Sequence, residues 1–345
     1  TMVMLILKTP LLKLMNTPEN VFQYASTYIG IIYAGIFTQA FYNMSAGILR
    51  ALGDSKTPLY FLIIASIVNI VLDLVFIINF NMGVAGAAYA TNIAQGLAAV
   101  LCIVYSYKKF QILRLKKEDF KVPTSYYCTH FHIGLPMALQ FSITAMGVMT
   151  LQSAINIFGS SVMAAYTAAS KVIQLVMQPL VTYGVSTATF VGQNLGAGLY
   201  HRIREGVRTI TCISIATSIL SSSVLFLFGK YLVGFFLENP SSEVISYSTQ
   251  VLNYAGIFFI PLGLIFVYRN ALQAMGQSFI PMMAGVFELV ARAVVAYTLP
   301  AFIGFTGICL ADPSAWIAAF TPLIIVYFIK MRKVEREMAK EPATN

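Results

Sequence analysis

Residues 58–78 read PLYFLIIASIVNIVLDLVFII, a run with one charged side chain, Asp73. An α-helix rises 1.5 Å per residue and a bilayer's hydrocarbon core is about 30 Å thick, so roughly 20 apolar residues make one crossing. The run lacks the alternating polar–apolar period of a membrane strand, which excludes a β-barrel. Outward from it, further apolar segments lie at approximately 1–15, 22–49, 84–107, 132–158, 161–192, 207–236, 244–274, 280–303 and 314–331. The expected fold class is all-α, a polytopic membrane protein with about ten transmembrane helices. Composition agrees: 58% of the 345 residues are hydrophobic and 10% charged, against about 25% charged in soluble domains.

The formal charge of +9 could point to nucleic acid, but its distribution points to a lipid bilayer instead. Lys and Arg concentrate in every second connection. One set comprises Arg50 and Lys56, then Lys108, Lys109, Arg114, Lys116, Lys117 and Lys121. It continues with Arg202, Arg204 and Arg208, then Lys330, Arg332, Lys333, Arg336 and Lys340; the opposite side has Lys8, Lys13 and Lys230. The basic side is expected to be cytoplasmic, with both ends of the chain inside and the protein in the plasma membrane. No nucleic-acid partner is expected, and a monomer is. Cys102, Cys128, Cys212 and Cys309 have no metal-ligand spacing and read as small apolar packers. The opening Thr1-Met2-Val3-Met4 has no basic leader and reads as the inside of a helix already under way.

The chain repeats itself at an offset of 223 residues, pairing Leu14 with Leu237, Val21 with Val244, Tyr24 with Tyr247, Leu49 with Leu272, Ala51 with Ala274, Gly53 with Gly276, Ser55 with Ser278 and Pro58 with Pro281. Six spans separate the paired segments, so the copies share one orientation, as in the parallel repeats of some secondary transporters. The second copy has six helices from about residue 125 and the first has four, so about 100 residues carrying two further helices are expected ahead of Thr1. The expected organisation is an incomplete first lobe at 1–107, a cytoplasmic linker at 108–124, a second lobe at 125–333 and a cytoplasmic tail at 334–345.

An ionised side chain inside a membrane costs about 2.5–3.5 kcal/mol even on lenient scales, so the few present are functional candidates. Asp73 lies about 22 Å along its helix from Pro58. Asn69 precedes it by one turn, and Thr91, across the short loop at 79–83, falls within about 3 Å of the same depth. The alternative is that Asp73 is hydrogen-bonded to Asn69 as packing glue. Lys171, Gln174 and Gln178 form an i, i+3, i+7 stripe; Gln39 with Asn43, and Gln152 with Asn156, are i, i+4 amide pairs. These either tie helices together or line a wet cavity. Glu288 and Arg292 form an i, i+4 pair, read either as mutual neutralisation or as a second site. Arg269 is expected to snorkel to the nearby helix end, and Asp312 to lie in or beside a loop. His130, His132 and His201 carry no metalloprotease or nucleophile-elbow motif, so neither an enzyme nor a cofactor is expected.

With Ile133-Gly134-Leu135-Pro136, Gly192-Gln193-Asn194-Leu195-Gly196-Ala197-Gly198, Leu49-Arg50-Ala51-Leu52-Gly53-Asp54, Asn69-Ile70-Val71-Leu72-Asp73 and Gly83-Val84-Ala85-Gly86-Ala87-Ala88-Tyr89-Ala90-Thr91 in this order, the chain resembles the multidrug and toxic compound extrusion family along its whole length. The resemblance implies a twelve-helix fold of two pseudo-symmetric six-helix lobes around a cavity. It implies export of organic cations, drugs or other amphipathic small molecules in exchange for protons or sodium. Asn69, Asp73 and Thr91 resemble the family's first-lobe cation site, making them the expected ligands of the coupling ion, H+ or Na+. Gln39, Asn43, Lys171, Gln174, Gln178, Glu288 and Arg292 are the expected cavity lining. The rival readings are a flippase of lipid-linked saccharides, which an Arg-rich cavity would favour, and a membrane-embedded enzyme.

Overall fold

Apolar runs interrupted by Pro, Gly and small polar residues dictate helices with breaks, and the computed structural model, which describes residues 1–14, 19–114, 116–237 and 240–338, contains helices and no strand among them. The chain divides into two compact units, Thr1–Lys121 and Val122–Asn345. Of the tail expected at 334–345, residues 339–345 lie outside the described ones.

The first unit runs α1 (Met2–Leu14), α2 (Glu19–Ala34), α3 (Ile36–Ala51), α4 (Lys56–Leu74) and α5 (Gly83–Lys109), with a π-helical turn at Val75–Asn79 ending α4. Its core is built from small side chains, Ala46, Ala65, Ala94, Ala98, Ala99 and Cys102, closed by Tyr42 and Leu49. Between helices in lipid, small residues let backbones approach closely and gain dispersion contacts that hydrophobicity alone cannot supply.

The second unit runs α6 (Thr124–Asn156), α7 (Ser160–Val176), α8 (Gln178–Gly196), α9 (Tyr200–Gly234), α10 (Ser242–Ile257), α11 (Phe259–Ala274), α12 (Phe279–Thr298), α13 (Pro300–Ile303), α14 (Phe305–Cys309) and α15 (Ala311–Met338). Its main core surrounds the fully buried Phe259, Leu252, Leu272 and Leu323.

The repeat seen in sequence recurs in the backbone. Glu19–Ala34 and Ser242–Ile257 are each helices of 16 residues, as are Ile36–Ala51 and Phe259–Ala274 that follow them, and both breaks obey the 223 offset at Gly35 and Phe258. Both second helices end in the same cap. Gly53 (φ +88°) and Gly276 (φ +76°) take the left-handed conformation, and the next amide bonds back, Asp54 N to Leu49 O and Gln277 N to Leu272 O, each at 2.9 Å. This double closure satisfies carbonyls that a helix end would otherwise leave bare.

The breaks have different causes. In the second unit Pro261, three residues on, lacks the N–H that Ile257 O requires and its ring crowds that carbonyl, and α10 and α11 meet at 53°. In the first unit the aligned residue is Thr38, whose hydroxyl donates to Gly35 O at 2.7 Å. There Asn92 enters from α5, donating Nδ2 to Ile31 O at 2.6 Å, and a Cβ at Gly35 would lie 2.1 Å from its side chain.

Among the described residues six helices are long and apolar enough to cross a membrane, or seven if the bent pair α10–α11 is one span. The other apolar segments read from sequence are the short α1 and the interrupted pairs α2–α3 and α7–α8. The last is broken at Met177 because Pro179 removes a helix donor. The protein is a multi-pass all-α membrane protein.

Candidate functional site

Asn69 and Asp73 lie one turn apart on α4, Thr91 on α5, and α4 and α5 pack along their length. Register is set at the hairpin joining them. Asn81 and Gly83 turn the chain with positive φ (52° and 54°), and Gly86 admits the π-helical Phe76, whose Cβ would stand 2.9 Å from a Cβ there. A π-turn has one residue more per hydrogen-bonded ring than an α-turn, and such turns recur beside functional side chains. This one begins two residues after Asp73.

All three side chains are half-buried, and no hydrogen bond joins them. Asp73 Oδ1 and Asn69 Nδ2 are buried and have no partner among the described residues, so the packing-glue alternative, which needs Asp73 bonded to Asn69, is not what the structure contains. Thr91 Oγ1 donates to Ala87 O at 2.9 Å, leaving its lone pairs as acceptors. Sequence reasoning missed Gln95. It lies one turn beyond Thr91 on α5, and its Oε1 is also buried without a partner; the i, i+4 spacing from Thr91 was the available signal. Leaving such atoms unpaired costs about 1–3 kcal/mol each unless something binds them.

In the second unit the buried carboxylates are paired with arginines, although Arg269 Nε and Arg292 Nη1 find no hydrogen-bond partner among the described residues. Arg269 Nη2 donates to Glu288 Oε2 at 3.1 Å and Arg292 Nη2 donates to Glu288 Oε1 at 3.0 Å. Arg292 Nε donates to Asp312 Oδ1, and Tyr166 OH to Asp312 Oδ2, both at 2.8 Å. Four helices, α7, α11, α12 and α15, are thereby tied through two cations and two anions. One turn from Arg269, Gln273 donates to the buried Gln140 of α6 at 2.8 Å. On α6, a Cβ at Gly147 would meet Arg292 Nη1.

Two expectations are corrected here. Arg269 does not snorkel, because a buried carboxylate across the helix interface competes better than water at the helix end. Asp312 does lie beside a loop, in the first turn of α15, and joins the network from there. Glu288 and Arg292, at 5% and 3% exposure, are sealed inside the unit and line no open surface, since pairing removes the need for water.

The remaining expected lining residues, Gln39, Asn43, Lys171, Gln174 and Gln178, are all exposed within their own units. The stripe of Lys171, Gln174 and Gln178 crosses the break at Met177, where the backbone stays near helical (φ −83°, ψ −9°). Lys171 Nζ sits 5.7 Å from the Phe236 ring centroid. Gln152 donates to Asn156 at 3.2 Å, closing that pair on itself.

The first unit also has a polar cluster at the ends of two spans, around Asp54 in the connection before α4. Asp54 accepts from Lys109 Nζ at 2.9 Å, Tyr105 OH at 2.8 Å, and Thr57 N and Oγ1 at 3.1 and 2.9 Å. The Lys109 ammonium, with these donors, holds the Asp54 carboxyl well below the usual carboxylate range.

The MatE family model matches residues 1–75 and 136–298. The probable multidrug resistance protein YpnP of Bacillus subtilis is 31% identical over 270 residues, covering 77% of this chain and 59% of that protein. The probable multidrug resistance protein YoeA of the same organism is 24% identical over 327 residues, covering 92% and 70%. The crystal structure of the Vibrio cholerae MATE transporter VcmN in its bent form matches with a TM-score of 0.85 at 22% identity, covering 96% of this chain and 75% of that one. The chain thus spans about three fifths of the length of YpnP.

Proposed function

Since this chain belongs to the MatE family, we propose that it is a secondary active transporter exporting amphipathic small molecules, organic cations and drugs among the candidates, by antiport against protons or sodium. One observation carries the reading. Away from the helix ends, Asp73 is the one carboxylate within a span that has no ion pair or hydrogen bond among the described residues. An antiporter needs a group that alternates between two occupants during its cycle, and an unpaired carboxylate is free to exchange a proton for a cation.

Asp73, Asn69 and Thr91 are the coupling-ion residues in this reading, with Gln95 as a fourth oxygen donor. Oxygen ligands of this kind suit Na+, and the same atoms hydrogen-bond a protonated Asp73, so both ions stay open. The exposed Gln39, Asn43, Lys171, Gln174 and Gln178 contact water and substrate, because amides facing lipid would be costly. The flippase reading lacks support: it calls for open arginines, and Arg269 and Arg292 are both engaged by carboxylates.

The test is dye efflux from vesicles containing the full-length protein, with the proton and sodium gradients collapsed separately. Collapse of one gradient should stop efflux. Efflux that survives loss of both would sink the antiport reading.

A further inference from the structure

α10 carries a polar stripe that its own unit leaves uncovered. Ser246, Thr249, Gln250, Asn253 and Tyr254, with Lys230 of α9, line an open groove of about 720 Å³, a size typical of small-molecule sites. It descends from the first turn of α10 to Ile257, the residue before the helix break, about 22 Å along the axis. Polar side chains on a membrane helix must meet protein or water, and Ser246 and Asn253 have no protein partner among the described residues.

Among the described residues the groove's charge is one-sided. Lys230 is its only charged lining residue and has no ion pair among the described residues. Glu243, the nearest acid in sequence on α10, does not line it. Donors and acceptors coexist: Thr249 spends its hydroxyl proton on Ile245 O at 2.8 Å and Gln250 donates to Thr306 at 2.9 Å, so both retain lone pairs, while Asn253 has no partner among the described residues.

The first unit repeats the arrangement. Gly30 is the residue aligned with Asn253 at the 223 offset, and a Cβ there would stand 3.1 Å from Lys8 Nζ of α1. Each unit thus brings a lysine, with no carboxylate partner among the described residues, to the helix preceding its break. In the first unit that register lies about 16 Å from the helix start, too deep for a side chain escaping to the membrane surface. Among the described residues Lys8, Lys171 and Lys230 lie within helices without an ion pair.

We propose that the α10 groove binds the anionic group, a carboxylate, sulfonate or phosphate, of an amphipathic substrate through Lys230, with Asn253 as its hydrogen-bonding partner. The inference rests on the export reading, in which Asp73 is reserved for the coupling ion and is unavailable to a cationic substrate. The same anionic chemistry could come from a lipid headgroup.

The test is equilibrium binding by fluorescence anisotropy, with the full-length protein in phosphatidylcholine nanodiscs and no gradient present. The probes are carboxyfluorescein and rhodamine 6G, which share a xanthene frame and differ in charge. Carboxyfluorescein should bind saturably and more tightly than rhodamine 6G. Lys230→Gln should weaken it about tenfold or more, the size of one charge-assisted hydrogen bond, while Lys230→Arg retains it and rhodamine 6G binding is not weakened. Asn253→Leu, which keeps the lysine, should weaken it several-fold and guards against misfolding of the Lys230 variants. Unsaturable carboxyfluorescein binding, or affinity indifferent to both Lys230→Gln and Asn253→Leu, overturns the proposal. So does tighter binding of the cation. Phosphatidylglycerol added to the discs should leave carboxyfluorescein affinity unchanged; competition that disappears in Lys230→Gln would assign the groove to lipid instead. A protein that binds the anion through Lys230 yet moves no dye under any gradient would sink the export reading and leave the groove standing.

Discussion

Asp73 of the first unit and Glu288 of the second are both carboxylates carried by apolar helices, yet one is left open and the other is closed on both oxygens. Glu288 is bridged by Arg269 and Arg292, whereas Asp73 Oδ1 has no partner. A carboxylate bridged by two guanidiniums has both oxygens occupied, and removing either partner leaves an uncompensated buried charge. That chemistry suits a joint between helices. A carboxyl beside neutral oxygens, with a π-turn at its back, suits exchange.

The contrast is most exposed to refutation at Asp73. Asp73→Asn preserves size and removes the charge, and should abolish ion-coupled efflux while the protein still reaches the membrane in normal amount. Normal efflux with normal pH and sodium dependence would transfer the coupling role elsewhere, with Glu288 the next candidate. Thr91→Ala and Gln95→Leu should weaken coupling without abolishing it, since each removes one neutral oxygen.

The Glu288 side can be broken by pairwise substitution. Glu288→Gln or Arg292→Gln alone should destabilise the protein by about 3–5 kcal/mol, read as a lowered thermal midpoint in detergent. The double variant leaves Arg269 and Asp312, which still sum to zero charge, so its loss should be smaller than the sum of the two. Additive losses would mean that the residues have separate roles and that the network is no unit.

Gly147→Ala sharpens the same point from α6. Its new methyl would meet Arg292 Nη1, and overpacking of this kind costs about 1–3 kcal/mol. Destabilisation that vanishes when Arg292→Gln is also present would identify the guanidinium as the group being displaced.

The smallest effect expected is at Asp54. Its carboxyl is held below the usual range by Lys109 and the neighbouring donors, so the folded state binds its proton less readily than the unfolded chain. The resulting stabilisation is present above the ordinary carboxylate value and is lost as pH falls through the depressed one. Lys109→Gln should shift the onset of acid destabilisation upward, toward the ordinary aspartate value of about 3.9, in a series of thermal midpoints against pH. An unchanged onset would show the cluster to be loose in solution. The second half offers an internal control, because the aligned residues there are Gln277, Ile280, Phe328 and Arg332, and no such cluster can form.

Much of the fold could be read from residues 58–78 and their like, because a bilayer constrains sequence severely: runs must be apolar and helical, and rare charges become conspicuous. The repeat was legible for the same reason. Gly53 with Gly276 and Pro58 with Pro281 mark backbone demands that recur, and the two halves keep their helix boundaries across 223 residues. Asp73, Asn69, Glu288 and Arg292 stood out by rarity and by one-turn spacing.

Contacts between distant segments were not legible. Nothing local in the sequence joins Arg269 to Glu288, Asp312 to Arg292 and Tyr166, or Asn92 to the backbone at Ile31; these pairings arise where helices cross. Gln95 differs from an ordinary helix amide only in having no partner, a property of its surroundings. Sequence determined which residues enter the membrane, because the cost of burial belongs to each side chain. Tertiary structure decided which of those charges are neutralised and which stay open, because neutralisation requires a partner within about 3 Å, and only the packing of helices supplies one.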